Sequence, residues 1–456
     1  MTIATINRVI LWFDEAFRAL SVEVPMADVE RLAVLIHHSM DGQARIFHTT
    51  KHVFSIGEGL KPLQILAALF HDVVYYQLDG GFPARVAALL EGVTRSEDGV
   101  LYIQEIKPED DAVALCADIF GLRPGQGLRL YRGMNEFLSA VVAARLLQPY
   151  LTEAHLICVV ACIEATIPFR APDAQGQSAL DALAQRVHKR SARIAGELLP
   201  SVHETTAFVQ TVIRDAVTLS NRDISGFIEP DPGRCLSNTL LLIEESNAPL
   251  AAVGVYSLQE YRSALLRMES FLSGLDPALV CQSYDGHPDA DALLTMSAAA
   301  KRNIDFSCDY LGAILTTVAI IEALALSTGT DCPIAMFLGD FTGTYDKPDR
   351  VEDFLPVPPS GQPVNAELLK VLQVGRELES ANDLAASPLT TYLYRFMGHS
   401  RSKQTLQQAR QMFDGNLSPR AFLKTLDSDM LHAVIHACAR IALSRSQALL
   451  TLEDSL

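Results

Sequence analysis

The sequence predicts an all-α protein. Three observations carry this expectation. Apolar residues recur at three- and four-residue spacing along nearly the whole chain, the pattern of helices that bury one face. Runs that alternate with period two are few. Gly, Pro and Asp-Gly pairs punctuate the apolar segments at intervals suited to helix ends. The chain has 456 residues, a length that suggests two or three domains. Nearly half of the residues are apolar, enough for a large core without staples.

Residues 6–20 form a first amphipathic helix. Pro25 precedes a second, which reaches about Met40 and carries Asp28 in its first turn, where the helix dipole favours an acid. Asp41-Gly42 breaks it. The segment 46–58 is the next helix, ended by Gly57 and Gly59. Pro62 then opens a helix carrying LQILAALFHDVVYY, which runs to Asp79-Gly80-Gly81. Residues 82–132 read as short helices separated by Gly99, Pro108 and Arg123-Pro124-Gly125. A helix follows over 133–147. Thr152 caps another over 153–167, and Pro168 stops it. After a loop with Pro172 and Gly176 come helices at 178–198 and 203–220. Beyond Asn221-Arg222-Asp223, the run of Gly226, Pro230, Pro232 and Gly233 marks a boundary. It divides residues 1–230 from a C-terminal helical region, 231–456. That region has long helices over 237–330, a Pro-rich surface connector at 348–363, and more helices over 364–452. No internal repeat is visible.

Composition narrows the function. The formal net charge of −17 argues against a nucleic-acid polymer as partner, because such binding needs a basic face. A small phosphorylated substrate remains compatible if a local cation supplies the positive charge. The eight cysteines are scattered and form no CxxC pair, which is reduced rather than disulfide usage. The first twenty residues hold Asp14 and Glu15 and no basic segment ahead of an apolar block, so a secretory leader is not expected and a cytoplasmic location is. Residues 311–329 are long enough to cross a bilayer. Glu322 interrupts them, Asp305, Asp309 and Asp331 stand near, and no cationic anchor follows closely. A buried helix is therefore expected there rather than a membrane contact.

Residues 45–76 concentrate the chemistry. His48 and His52 are four apart, a spacing that puts both on one helix face. His71-Asp72 lies inside an apolar run, where a carboxylate is costly unless paired or coordinated. Imidazole with carboxylate suits a borderline or hard divalent cation. Two other groups of histidines carry less. His432 and His436 repeat the spacing with no acid beside them, and His37-His38 are adjacent and do not share a face.

These residues resemble the HD superfamily, all-helical metal-dependent phosphohydrolases named for the His-Asp doublet. The segment FHTTKHV, with Ile56 after it, resembles the HNxxH stretch of cyclic-nucleotide phosphodiesterases and the RxYHNxxHI stretch of a bacterial group of HD hydrolases. Phe70-His71-Asp72-Val73-Val74-Tyr75 is similar to that group's FHDxVY segment. Asn135-Glu136-Phe137-Leu138-Ser139-Ala140 is similar to its NExxSA segment, and Ile163-Glu164-Ala165-Thr166 to its IxAT segment. Asn221-Arg222-Asp223-Ile224 stands where a distant ligand is expected, with Asp215 as a nearby rival. The resemblance covers roughly the first 230 residues.

The resemblance implies an HD-like helical bundle that holds a divalent cation (manganese, magnesium, iron, zinc or nickel) through His52, His71, Asp72 and Asp223. It implies His48 as the acid that protonates the leaving oxygen and Glu136 as a carboxylate that orients water. Arg45, Lys51 and Arg170 are candidate phosphate contacts. Thr49 departs from the pattern's asparagine. Thr166-Ile167-Pro168-Phe169-Arg170 lacks a histidine usual in the bacterial group, which removes a ligand for a second ion. The expected function is metal-dependent hydrolysis of a phosphoester in a nucleotide or other small metabolite. The alternative is a degenerate HD scaffold acting as a sensor or interaction protein. In either case the C-terminal helices are compatible with homodimer formation.

Overall fold

Several helices begin where the sequence supplies a side-chain cap. The Thr152 hydroxyl accepts from the His155 amide at 3.3 Å, as the sequence predicts. Asp110 does the same for Val113, and Ser257 and Glu260 form a reciprocal capping box. The computed structural model describes residues 3–42, 44–130, 132–194, 202–251, 254–339, 349–359, 361–375 and 386–456. Among them are 19 α-helices and one small three-stranded sheet, so the protein is predominantly all-α.

Chain contacts divide the molecule into two units. The first comprises residues 1–228 and 276–300, the second 229–275 and 301–456. The return of 276–300 to the first unit is not foreshadowed by the composition shift near 230. It is held there by side-chain bonds: Asn221 exchanges two 2.8 Å hydrogen bonds with the backbone of Gln282, and Arg214 pairs with Asp285.

The core of the first unit is built by the helices Thr5–Ala19, Met26–Met40, Pro62–Phe70, Met134–Leu147, Glu153–Ala165 and Val202–Asp223. Phe13, Phe70, Phe137 and Ile163 are fully buried in it. The helix Glu153–Ala165 is apolar on all sides because helices pack around it, and all but its first three residues are buried.

Three expectations in this unit need correction. The helix expected over 46–58 spans only Thr50–Gly57, and residues 46–49 are irregular. Thr49 adopts extended dihedrals at the N-cap, and the Arg45 guanidinium binds the His48 carbonyl. The helix opened by Pro62 ends at Phe70 instead of near 79. Beyond it, the Val74 and Tyr76 amides bond to side chains of another helix, Ser139 Oγ and Asn135 Oδ1, both at 3.1 Å. Those bonds replace the next helical turn. The third correction lies in 82–132, where residues 94–97 and 100–103 form an antiparallel hairpin with a third short strand at 127–128. Asp98 and Gly99 both have positive φ, the requirement of a tight primed turn.

In the second unit the helix Ala290–Thr328 contributes residues 301–328. Its apolar stretch is largely buried within the protein, with Leu315, Ile320 and Leu324 fully so. All eight cysteines are free. The expected connector at 348–363 is described only in part: residues 351–354 form a 3₁₀ turn, residues 355–359 are irregular, and Pro348 lies outside the described residues.

Glu322 is fully buried and accepts from Arg262 at 2.9 Å. Burial pushes its carboxyl up to about 7, with Arg262 pulling it down and Asp331 adding to the rise. The folded protein thus keeps a proton that the unfolded chain releases near 4.5, so stability falls as pH rises between those values. At about 1.4 kcal/mol per pH unit the fall is on the order of 3 kcal/mol. Glu322→Gln is expected to flatten that slope for the second unit. Urea midpoints at about pH 5 and about pH 8 measure it.

Candidate metal centre

Three separate segments converge in the first unit. His52 lies on the helix Thr50–Gly57. His71 is the C-cap of Pro62–Phe70, and Asp72 follows it. Asp223 is the last residue of Val202–Asp223. His52 Nε2 sits 2.9 Å from Asp223 Oδ1. His71 Nε2 is 2.9 Å from Asp72 Oδ2 and 3.3 Å from Asp223 Oδ1. The rings of His52 and His71 are 5.7 Å apart. One ligand atom from each of His52, His71 and Asp72 lies within 4.8 Å of the others. The rival Asp215 is engaged elsewhere, with Lys61 at 2.6 Å.

The tautomer of His71 follows from its partners. Nδ1 lies 2.8 Å from the Ala68 carbonyl, which can only accept, so Nδ1 carries the proton. Nε2 then points its lone pair at the two carboxylates. It is buried, and despite the short distances it makes no aligned hydrogen bond. A proton or a cation satisfies such an atom, and a neutral carboxylate-facing imidazole does not. The donor set of two imidazoles and two carboxylates fits a divalent cation, whose charge balances the two acids. On this count the residues fit the metal that the sequence implies.

Electrostatics without an ion point the same way. Burial alone would lower the His71 pKa, but the charges of Asp72 and Asp223 hold it well above the usual imidazole range. Against the opposing effect of burial, the Asp72 carboxyl is driven well below its usual range by His71, with help from His48 and His52. Asp223 is held at about 2 by His71 and His52, again against burial. Glu136 moves oppositely. Burial pushes it up to about 7, and the charges of Asp72 and Asp223 add to the rise. It is thus poised to hold or release a proton near neutrality.

His48 reaches the centre, though not by sharing a helix face with His52. It stands half-buried in the irregular segment before the helix. Phe47 packs 4.9 Å from each of the two imidazoles, which are themselves 6.0 Å apart. Tyr75 covers His48 at 4.6 Å.

The three expected phosphate contacts are placed differently. Arg45 has a fully buried side chain, and its fork is bound to both oxygens of Asp79 at 2.9 Å. It also donates to the Asp72 carbonyl at 3.1 Å. Its guanidinium is engaged by Asp79 and by the carbonyls of His48 and Asp72, which makes it an internal brace. Arg170 is likewise tied to Glu164 at 2.7 Å and 3.1 Å. Lys51 is exposed on the helix that carries His52.

Sequence reasoning missed the supports. Asn135 and Ser139, one helical turn apart, bind the backbone just after the doublet, and Asn135 also donates to Gln77. Their signal lies in the Asn-Glu-x-x-Ser-Ala segment, where the resemblance assigns a role to Glu136 alone. Asp79, which in sequence marks a helix stop, is Arg45's partner. No family model, curated protein or solved structure matches this chain.

Proposed function

We propose that the first unit is a metal-dependent phosphohydrolase acting on a nucleotide or other small phosphoester. The observation that carries this reading is the aim of the buried His71 Nε2 at Asp72 and Asp223, with His52 on the same Asp223 oxygen. A divalent cation bound there would supply Lewis-acid polarisation of a phosphoryl oxygen and acidify water for attack on phosphorus. The chain's own residues supply the rest. His52, His71, Asp72 and Asp223 hold the cation. Glu136, with its raised pKa, orients water and accepts its proton. His48 donates a proton to the departing oxygen, a task suited to an imidazole near neutral pH. Phe47 and Tyr75 fix its ring. Arg45 holds the backbone at His48 and Asp72 in register.

The test is metal content with turnover. Purified protein is expected to carry or take up one divalent ion at this centre and to hydrolyse members of a nucleotide phosphoester panel with added Mn²⁺ or Mg²⁺. The double variant H71A/D72A is expected to lose the ion at this centre and the turnover. A protein that takes up no ion at this site, or whose double variant binds and turns over as before, overturns the assignment.

A further inference from the structure

A second group of metal-binding side chains lies in the C-terminal unit, apart from the centre above. His432 and His436 occupy one face of the helix Ser428–Ile441, and their ring centroids are 4.3 Å apart. The chain then turns at residues 443–445 into a short helix, Ser446–Glu453. That turn brings Glu453 back over both imidazoles. His432 Nδ1 contacts Glu453 Oε1, and His436 Nε2 lies 3.0 Å from Oε2. The acid absent from the neighbouring sequence is thus supplied by the fold.

We propose that His432, His436 and Glu453 form a surface site for a borderline divalent cation such as Zn²⁺, and that the ion clips the last helix to the helix before it. The three ligand atoms lie within 4.8 Å of one another. An ion about 2.0–2.2 Å from each is reached by small rotations of exposed side chains. Both imidazoles are solvent-facing, with the side chains 61% and 50% exposed, so an ion reaches them from solvent and water fills the remaining positions. Two nitrogens and one carboxylate match zinc, nickel or cobalt better than magnesium or calcium.

Two further features favour an ion here. Glu453 is the last residue of its helix, where the helix dipole disfavours a negative charge. A cation reverses that penalty. The helix is also only eight residues long and has just two buried anchors, Leu449 and Leu452, so its own propensity does not hold it. An additional link at its far end has an outsized effect on its opening.

The experiment uses the full chain, stripped with a chelator and titrated with Zn²⁺ by calorimetry. H71A/D72A is expected to retain one equivalent, and H432A/H436A introduced into it is expected to abolish that equivalent. E453Q in the same background is expected to weaken it at least about tenfold, since even removing an indirect support for a ligand weakens metal sites by about 10–100-fold. Hydrogen exchange supplies the second readout. Zn²⁺ is expected to slow exchange of the 446–453 amides in the wild-type chain but not in E453Q. Zinc stoichiometry unchanged by H432A/H436A overturns the site. Equal affinity in E453Q, or zinc bound without slower exchange, overturns the clip. None of these outcomes depends on the first unit being a hydrolase.

Discussion

His48→Ala is expected to leave the metal content of the protein unchanged while lowering turnover of an unactivated phosphodiester about 10²–10⁴-fold. His48 is not among the side chains that meet on the Asp223 oxygen, and its ring lies 6.0 Å from that of His52. On the proposed assignment its loss removes a proton donor and no ligand. The leaving group decides between this role and simple positioning. An alkoxide leaving group needs the proton, whereas a nitrophenolate departs without one. The variant is thus expected to retain most of its activity on a nitrophenyl ester. Equal losses on both substrates would remove His48 from the acid role. Loss of the ion along with activity would make it a ligand.

This separation of His48 from His52 sets the measure of what was legible in the sequence. Helical class, the buried helix 311–329 and the Thr152 cap follow from local rules of spacing and capping, and the structure agrees with them. The spacing of four between His48 and His52 suggested one helical face, because a periodic pattern cannot show that Arg45 takes the His48 carbonyl out of the helix. The end of the helix at Phe70 was hidden for a related reason. The donors at Val74 and Tyr76 are satisfied by Ser139 and Asn135, 65 and 59 residues away, and no local rule sees such partners. The hairpin is a different kind of miss. Its Asp-Gly turn stands at 98–99, but in a chain of helical period Gly99 reads as a break between helices. Glu453 beside His432 and His436 was likewise invisible, since the turn at 443–445 alone sets that meeting.

Arg45→Met is the change with the largest expected effect on stability. The guanidinium is fully buried and bidentate on Asp79, and it also binds the carbonyls of Asp72 and His48. Methionine fills much of the volume but leaves a carboxylate, itself only 11% exposed, and two carbonyls without their donor. Breaking one side of a buried pair costs about 3–5 kcal/mol, and the loss is expected in the unfolding of the first unit. Arg45→Lys keeps the charge but offers a single point where a planar fork is needed, so an intermediate loss is expected. Asp79→Asn combined with Arg45→Met removes the stranded charge. Its destabilisation is expected to be less than the sum of the two single changes, and a double-mutant cycle reads the difference as coupling. The same variants discriminate a brace from a substrate contact. A phosphate-binding arginine would raise KM and leave the denaturant midpoint unmoved. A brace at 45 lowers the midpoint, and it loosens the backbone on both sides of the centre, so kcat and metal affinity fall together. The bond from Arg45 to the Asp72 carbonyl makes that coupling direct, because Asp72 is one of the four side chains assigned to the ion.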